Sequence, residues 1–307
     1  MQDGNSMKGR VVAVTGAGRG LGRAYALQLA AEGAAVLVND LGSQVDGKGA
    51  DASVAQAVAS EIVARGGRAV TNLGDISDPS AAAEIITQAM HEFGRLDAII
   101  NNAGTFEVKS FQETEAADFE RLWRVHFLGH YHVTKAAWPI FVSQNFGQVV
   151  MTGSGASLFG ANGTASYSAA KGAVQGLMRV LAIEGLANNV FVNTIAPGAF
   201  SRMHLADGLS PEQLKQIDLT KKSMLPELVA PLVTWLASER CDVTGQTFSA
   251  WSGRVARVAL GTGRGMIDRE LSVEAIDAGY STIAGMDQFY EPTSVGDEIE
   301  HWLPFCL

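Results

Sequence analysis

The sequence predicts an α/β fold: a doubly wound parallel sheet in a single domain, followed by a C-terminal extension. Three observations predict this fold. Short β-branched runs alternate with longer Ala-rich helical patterns over the first two-thirds of the 307 residues. The runs are continuously apolar, which is typical of parallel strands buried on both faces. The connections between them are long enough to be helices, and right-handed crossovers then place helices on both faces of the sheet.

The elements of the first half are predicted from where the apolar runs stop. Gly33 closes the first helix and Gly66 closes the second, since glycine adopts the left-handed conformation that ends many helices. The predicted elements are 11–14 (strand), 21–32 (helix), 35–39 (strand), 53–64 (helix), 69–72 (strand), 80–93 (helix) and 96–101 (strand).

In the second half, residues 118–142 form one long predicted helix, and Pro139 is expected to kink or end it because proline lacks an N–H. Residues 199–224 mix Met, Leu and polar residues, and we interpret them as a substrate lid. The remaining predicted elements are 147–152 (strand), 167–186 (helix), 190–195 (strand) and 226–238 (helix). The main domain therefore covers residues 8–250, and residues 251–307 form an extension that packs on the same domain or on a partner subunit.

Composition and charge narrow the class of protein. A content of 47% hydrophobic and 18% charged residues is that of an ordinary globular protein. The formal net charge of -9 argues against a nucleic-acid partner, which would require a positive surface. No apolar stretch of about 18 residues occurs, so no membrane-spanning helix is predicted. The N-terminus lacks an apolar signal segment, and a cytoplasmic location is expected.

The cysteines and histidines give no indication of a metal site. Cys241 and Cys306 are the only cysteines, and reduced thiols of a cytoplasmic protein are the simplest interpretation. His126, His130 and His132 cluster on one predicted helix, but without the HExxH spacing of a zinc site. We therefore predict no bound metal.

A glycine-rich turn joins the first strand to the first helix. Gly16, Gly20 and Gly22 let the backbone turn tightly and approach a pyrophosphate, and the helix that begins at Leu21 presents free N–H groups to it. An ordinary tight loop would have a similar composition. The position of this turn within a strand–helix series favours a dinucleotide site, with Arg19 and Leu21 among its contacts.

Asp40 ends the second predicted strand and bears on the choice of cofactor. A carboxylate there can accept both ribose hydroxyls of adenosine and would repel a 2′-phosphate, which favours NAD over NADP. Arg19 is the counter-argument, because a guanidinium in the turn could hold that phosphate. We weigh Asp40 above Arg19, since a buried clash of like charges is harder to tolerate than an unused exposed Arg. The alternative for Asp40 is a turn residue before Leu41.

Tyr167, Lys171 and Ser154 form the predicted catalytic group. Tyr167 and Lys171 lie four residues apart on one predicted helix, so their side chains share a face, and Ser154 follows the preceding strand. A phenol titrates near pH 10, and a nearby ammonium favours its charged form, so Tyr167 can act as a base near neutrality. A Ser hydroxyl can hold the substrate oxygen meanwhile. Taken without the other motifs, Tyr167 and Lys171 would be an ordinary surface pair.

Together these motifs resemble the short-chain dehydrogenase/reductase family, whose fold is of the Rossmann type. The resemblance covers roughly residues 8–250 and is carried by Thr-Gly-x-x-x-Gly-x-Gly at 15–22, Asn-Asn-Ala-Gly at 101–104, Ser154, Tyr-Ser-Ala-Ala-Lys at 167–171 and Pro-Gly at 197–198. It implies a set of cofactor contacts: Gly16, Gly20 and Gly22 at the pyrophosphate, Asp75 and Ile76 at the adenine, Asn102, Ala103 and Gly104 beside the adenosine ribose, Lys171 at the nicotinamide ribose, and Pro197 and Gly198 at the nicotinamide.

One position departs from the family pattern. Where the family usually has Asn in the helix before the Ser strand, this chain has His126. The resemblance implies that this residue helps to hold a water between the catalytic Lys and solvent, which a ring nitrogen could also do. A narrower resemblance is to the (3R)-hydroxyacyl-CoA dehydrogenase part of peroxisomal multifunctional enzymes. It is carried by residues 9–12, 23–27, 38–42, 47–49, 124–126 and 251–254. That branch uses NAD and includes enzymes acting on fatty acyl-CoA and on steroid alcohols.

The leading hypothesis is reversible hydride transfer between NAD and a secondary alcohol, either a 3-hydroxyacyl-CoA or a hydroxysteroid. The first alternative is an NADP-dependent 3-oxoacyl carrier-protein reductase, which Arg19 permits and Asp40 opposes. The second is a non-catalytic regulatory protein that binds the cofactor, which would have no reason to retain the catalytic group. The predicted partners are an apolar alcohol or ketone and further copies of the chain, in a homodimer or homotetramer formed through the helices at 118–142 and 167–186.

Overall fold

An eight-stranded sheet with helices on both faces is the centre of the structure. The structure, a computed structural model, describes residues 6–200 and 221–306. The strands are β1 (Val11–Thr15), β2 (Ala35–Asn39), β3 (Arg68–Asn72), β4 (Ala98–Asn101), β5 (Gly147–Thr152), β6 (Val190–Gly198), β7 (Thr247–Trp251) and β8 (Arg254–Val258). The helices are α1 (Gly20–Ala31), α2 (Ala52–Ala64), α3 (Pro79–Phe93), α4 (Ala116–Trp123), α5 (Gly129–Gln144), α6 (Gly155–Phe159), α7 (Ala165–Gly185), α8 (Ala230–Ala237), α9 (Val273–Ile283) and α10 (Val295–Cys306).

The strand order is β3-β2-β1-β4-β5-β6-β7-β8. The neighbouring pairs from β3 to β7 are all parallel. The order reverses between β1 and β4, and in open α/β sheets the crevice at such a reversal is where ligands bind. The predicted doubly wound α/β class is therefore confirmed, and the topology places a binding crevice at the carboxyl ends of β1 and β4.

The continuously apolar strands follow from burial of both faces of the sheet. Along β1, Val12 and Val14 pack into one hydrophobic cluster, whereas Val11 and Ala13 pack into the other. Successive side chains of a strand point to opposite faces, so a strand covered on both sides needs an apolar residue at every position. This is why the sheet strands lack the alternation of a half-exposed strand.

The single helix predicted over 118–142 is wrong in one respect, because a π-helical turn interrupts it. The helix α4 ends at Trp123, the turn Arg124–Leu128 follows, and α5 begins at Gly129. The Gly129 N–H donates to the Arg124 carbonyl oxygen, a bond that spans five residues rather than four. Such turns insert one residue into a helix and recur at functional sites.

The helix does not end at Pro139 either. The helix α5 continues past Pro139 to Gln144. Ala137 and Phe141, on either side of the proline, are fully buried. Their packing offsets the backbone bond that proline removes.

Two strands beyond the predicted ones extend the sheet after residue 244. The strands β7 and β8 are joined by Ser252 and Gly253, whose φ values of 48° and 79° are both in the left-handed region. A two-residue connection with two positive φ angles matches the twist of a β-hairpin. The chain divides into a unit Met1–Arg257 and a unit Val258–Leu307, so the first unit runs beyond the predicted limit of residue 250.

The second unit is a small helical segment with its own aromatic cluster. A bridge pairs Thr262 with Tyr290 ahead of α10. The Tyr290 ring stacks on His301 at a centroid distance of 3.6 Å, and the Trp302 indole N–H donates to the Thr262 hydroxyl over 3.1 Å. Tyr290, His301 and Trp302 therefore pack against one another within this unit.

Most of the predicted lid at 199–224 lies outside the described residues, since 201–220 are not among them. In the ranges that the structure does describe, no helix has the length and apolarity needed to cross a bilayer.

Candidate active site

A cleft of about 480 Å³ opens at the carboxyl ends of the strands. Every residue predicted to bind cofactor or to act in catalysis lines it, namely Gly16, Arg19, Gly20, Leu21, Gly22, Asp40, Asp75, Ile76, Asn102, Ala103, Gly104, Ser154, Tyr167, Lys171, Pro197 and Gly198. These residues come from seven separate segments of the sequence, and the parallel sheet brings their strand ends to one edge. The cleft therefore joins the glycine-rich turn to the predicted catalytic group.

The glycines of the turn are required by close backbone approach. A Cβ added to Gly16 would lie 2.6 Å from the Ala103 Cα, and one added to Gly22 would lie 2.1 Å from the Gly16 carbonyl oxygen. Gly16 also has a positive φ, of +63°. Gly20 has a φ of +51°, but an added Cβ there would meet nothing within 4 Å. Close packing thus excludes a side chain at Gly16 and Gly22, whereas at Gly20 only the backbone conformation requires glycine, on the side where space remains for a ligand.

Thr15, which our sequence analysis did not assign a role, ties the glycine-rich turn to the segment after β4. Its hydroxyl accepts the N–H groups of Asn102 and Ala103 at 3.0 and 3.1 Å. The Asn102 side-chain amide donates back to the carbonyl oxygens of Thr15 and Gly16. Asn102 therefore stabilises the conformation of the glycine-rich turn through these two hydrogen bonds, independently of any ligand that the turn binds.

Replacing Gly22 with Ala is expected to weaken dinucleotide binding and to destabilise the fold by about 1–3 kcal/mol, the usual result of overpacking. The added methyl group would collide with the Gly16 carbonyl and with the Asn102 amide, 2.6 Å away. Binding is measured by quenching of protein fluorescence and stability by thermal unfolding. Gly296→Ala in α10 is the control, because its Cβ would have only an ordinary contact at 3.8 Å. Equal effects of the two substitutions would contradict this role for Gly22.

Asp40 lies where β2 ends, and both of its carboxylate oxygens are positioned by backbone N–H groups. One oxygen accepts from Gly18 at 2.8 Å and the other from Gly42 at 2.7 Å. Each carboxylate oxygen has a second acceptor site, which stays available for a ligand hydroxyl. Arg19 instead donates to the Ser43 carbonyl oxygen over 3.2 Å. The Arg19 guanidinium thus forms a hydrogen bond with the segment that follows Asp40.

At the other end of the cleft, strand β5 and helix α7 bring the catalytic group together. The Lys171 ammonium donates to the Thr152 carbonyl oxygen over 2.6 Å and lies 6.0 Å from the centroid of the Tyr167 ring. Ser154 caps α6, its hydroxyl oxygen accepting the Ala156 N–H at 3.1 Å. The Ser154 hydroxyl also lies within hydrogen-bond reach of Tyr167. The three side chains thus face one another, as the helical spacing predicts.

Burial moves the pKa values of Tyr167 and Lys171 in opposite directions. Desolvation raises the pKa of Tyr167, and the Ser154 hydrogen bond opposes that rise. Desolvation also lowers the pKa of the fully buried Lys171 ammonium to about 7. Burial disfavours the charged form of each group, so the phenol and the amine are both neutral in mildly alkaline solution. A phenolate at Tyr167 therefore needs a further positive charge in the cleft, or an ammonium retained at Lys171.

The π-helical turn Arg124–Leu128 places His126 against Tyr167. The His126 and Tyr167 rings meet edge to face at 5.1 Å and 89°. The His126 Nε2 lies 2.7 Å from the Thr105 carbonyl oxygen, which assigns the proton to that nitrogen. Burial, and then the charge of Lys171, lower the pKa of His126 well below 6.5, so the ring is neutral.

His126 also explains a glycine of the Asn-Asn-Ala-Gly motif. A Cβ added to Gly104 would lie 2.4 Å from the His126 ring. His130, one turn further along, is buried as well, and burial likewise lowers its pKa. The charge of Lys171, and that of His126 when it is protonated, also lower the pKa of His130. Over the described parts of the chain, no group of three or more His, Cys, Asp or Glu side chains is arranged to hold a metal ion.

Three residues that shape the site were missed by the sequence analysis. Thr15 belongs to a motif that was quoted, but its hydroxyl was not given a role. Thr152 ends β5, and only its backbone carbonyl contributes, so no side-chain pattern could have indicated it. Phe106, two residues after the Asn-Asn-Ala-Gly motif, packs on Tyr167 and has no signal in the sequence beyond being apolar.

Comparison with known proteins identifies the family. The family model for short chain dehydrogenases matches residues 10–213, and the chain belongs to that family. It is 40% identical to peroxisomal multifunctional enzyme type 2 of Mus musculus over 291 residues, which are 94% of this chain and 38% of that enzyme. The chain thus spans well under half of the mouse enzyme.

Two mycobacterial proteins match over nearly their whole length. A putative short-chain type dehydrogenase/reductase of Mycobacterium tuberculosis is 41% identical over 278 residues, covering 90% of this chain and 94% of that protein. The crystal structure of a short chain dehydrogenase from Mycobacterium avium superposes with a TM-score of 0.78 at 35% identity, covering 91% of this chain and 97% of that one. An oxidoreductase of the short-chain family is therefore the class that fold and sequence define.

Proposed function

We propose that this chain is an NAD-dependent oxidoreductase that interconverts a secondary alcohol and a ketone, with a 3-hydroxyacyl-CoA or a hydroxysteroid as substrate. One observation carries the proposal. A single cleft joins the glycine-rich turn and Asp40, at one end, to Ser154, Tyr167 and Lys171 at the other. That arrangement suits a long dinucleotide whose reactive ring reaches the catalytic group.

The residues present fit such a cofactor. The turn leaves open space beside Gly20, and the N-terminus of α1 directs its free N–H groups toward a phosphate there. Asp40 would hold the adenosine ribose, Asp75 and Ile76 would border the adenine, and Asn102 to Gly104 would lie beside the ribose. Lys171 would bind the nicotinamide ribose, with Pro197 and Gly198 against the ring. When bound, NAD supplies a hydride acceptor and a positive charge near Tyr167.

The chemistry of the chain's own residues is proton transfer and oxygen positioning. Ser154 uses one lone pair on the Ala156 N–H, and its O–H, which faces Tyr167, can turn to donate to a substrate oxygen. Tyr167 accepts the alcohol proton as a phenolate in oxidation and returns it as a phenol in reduction. Lys171 stabilises the phenolate through its ammonium, because opposite charges in a buried site attract with little screening by water.

The substrate class is tested with a panel of alcohols, followed by NADH absorbance. Apolar residues line the cleft together with the catalytic group, including Phe106, Val125 and Ala199. Such a lining suits the carbon skeleton of an acyl chain or a steroid. Turnover of 3-hydroxyacyl-CoA or of hydroxysteroids supports the proposal. Turnover restricted to carrier-protein thioesters with NADPH would favour the 3-oxoacyl carrier-protein reductase instead.

Substituting Asp40 with Asn is expected to lower kcat/KM for NAD by roughly 10- to 100-fold, because a charge-assisted hydrogen bond contributes about 1.5–3 kcal/mol. The same change relieves repulsion of a 2′-phosphate, so the NAD/NADP preference narrows. Titrations with both cofactors measure the effect. Asp277→Asn, at an exposed position of α9, is the control and should leave both values unchanged. A wild-type preference for NADP would instead assign the phosphate to Arg19.

We further propose that copies of the chain associate as a homodimer or homotetramer through α4, α5 and α7. These helices expose large apolar side chains, namely Trp123, Tyr131, Val180 and Ile183. Contiguous apolar surface on helices is typical of subunit interfaces.

A further inference from the structure

Phe106 makes the second aromatic contact with Tyr167. The two rings meet edge to face, with centroids 5.1 Å apart and planes at 87°. His126 makes the matching contact, also at 5.1 Å. The Tyr167 ring therefore has aromatic neighbours in two perpendicular contacts, and aromatic pairs of this geometry contribute about 0.5–1.5 kcal/mol beyond their buried area.

The backbone of Phe106 is itself held by the cofactor end of the cleft. Residues 41–50, which we call the strap, lead from Asp40 to α2. The Phe106 N–H donates to the Val45 carbonyl oxygen of the strap over 3.2 Å. Gly47 lies against Thr105, so close that an added Cβ would be 3.0 Å from the Thr105 methyl group. The strap thus docks on residues 105 and 106 through one hydrogen bond and one close contact.

We infer that Phe106 is a positioning residue: held by the strap, it fixes the orientation of the Tyr167 ring and so the place of the phenol oxygen. The inference rests on the proposed function, because it assumes that Tyr167 exchanges the substrate proton. Phe106 has no polar group and can transfer no proton. Its effect must come through the ring that it touches, and a displacement of a reacting atom by 1 Å can cost on the order of 100-fold in rate.

The test is a comparison of Phe106→Ala with wild type in steady-state oxidation of an accepted alcohol. We expect kcat to fall roughly 10- to 100-fold, with KM for NAD unchanged. Phe106→Tyr, which keeps the aromatic edge, should restore most of kcat. If Phe106 only contacted substrate, KM for the alcohol would rise and kcat would be retained, which would overturn the inference.

The pH profile separates positioning from loss of stability. Desolvation raises the pKa of Tyr167, so admitting water beside its ring should move the acidic limb of kcat/KM to lower pH in Phe106→Ala. Phe141→Leu is the matched control, since Phe141 is fully buried in the core away from the cleft. It should lower the melting temperature without moving the limb. If Phe106→Ala kept the wild-type kcat and the acidic limb of its kcat/KM profile did not shift, the inference would be overturned. If the wild type itself showed no turnover, the proposed function would be overturned instead.

Discussion

Replacing Tyr167 with Phe is expected to lower kcat by roughly 10²- to 10⁴-fold, the usual contribution of a general base, while NAD still binds. The substitution removes one oxygen atom and keeps the ring, so the contacts with Phe106 and His126 persist. Without the phenol oxygen the group lacks its base, since Ser154 is a very weak base and the Lys171 amino group is bonded to the Thr152 carbonyl oxygen. Turnover is followed by NADH absorbance and binding by NADH fluorescence.

Tyr25→Phe is the matched control for Tyr167→Phe. Tyr25 is fully buried in α1, and over the described residues its hydroxyl has no hydrogen-bond partner. Removing an unpartnered buried hydroxyl is neutral or stabilising, so this variant should turn over like wild type. If Tyr167→Phe also kept wild-type kcat, Tyr167 could not be the base.

The parts of the site set by short-range backbone geometry could be predicted from the sequence. Glycine is required at positions 16 and 22 because backbone atoms lie only 2.1–2.6 Å from where a Cβ would be. The spacing of these two glycines therefore follows from the backbone geometry of the turn. The spacing of Tyr167 and Lys171 likewise places two side chains on one helical face before any packing is known. These are local constraints, and local constraints leave a signature in the sequence.

The features that packing decides could not be predicted in the same way. The π-helical turn Arg124–Leu128 inserts one residue into a helix whose sequence fits an uninterrupted one, and its result is the contact of His126 with Tyr167. Phe106 reaches the site through a hydrogen bond to a strap some 60 positions earlier in the chain. The hairpin at Ser252 and Gly253 is different, since a Ser-Gly pair is a recognised turn signal that we did not use.

The electrostatics of the site also depended on the structure. From the sequence, a Lys one turn from a Tyr is expected to lower the pKa of the phenol. In the folded protein burial acts on both groups, raising the pKa of Tyr167 and lowering that of Lys171 to about 7. Burial disfavours the charged form of both groups, so a phenolate at Tyr167 depends on a positive charge that enters the cleft or stays on Lys171.

Replacing Lys171 with Met is expected to abolish most turnover and, in the opposite direction, to stabilise the fold, by the largest amount at pH 7 and below. Lys171 is 2% exposed, and burial lowers the pKa of its ammonium to about 7. In the unfolded chain the pKa is about 10.4. Between these values the unfolded state binds more protons than the folded state, so the stability of the wild type rises with pH across this window. A Met side chain does not titrate.

The difference in free energy of unfolding between Lys171→Met and the wild type should therefore decrease by about 2 kcal/mol between pH 7 and pH 9. Urea unfolding at the two pH values measures it, with the slope m checked for constancy. Lys135→Met on the exposed side of α5 is the control and should change stability by less than about 0.5 kcal/mol at either pH. Parallel pH dependences for wild type and Lys171→Met would show that burial does not depress this pKa.

Opposite effects of Lys171→Met on stability and on turnover would have one cause. An ammonium enclosed by the sheet and α7 costs free energy of folding, and its single described hydrogen bond, to the Thr152 carbonyl oxygen, offsets only part of that cost. The same enclosure strengthens its attraction for a phenolate at Tyr167, because the field is not screened by water. A more exposed Lys would stabilise the protein and weaken the base, so the burial of this residue follows from the reaction rather than from the fold.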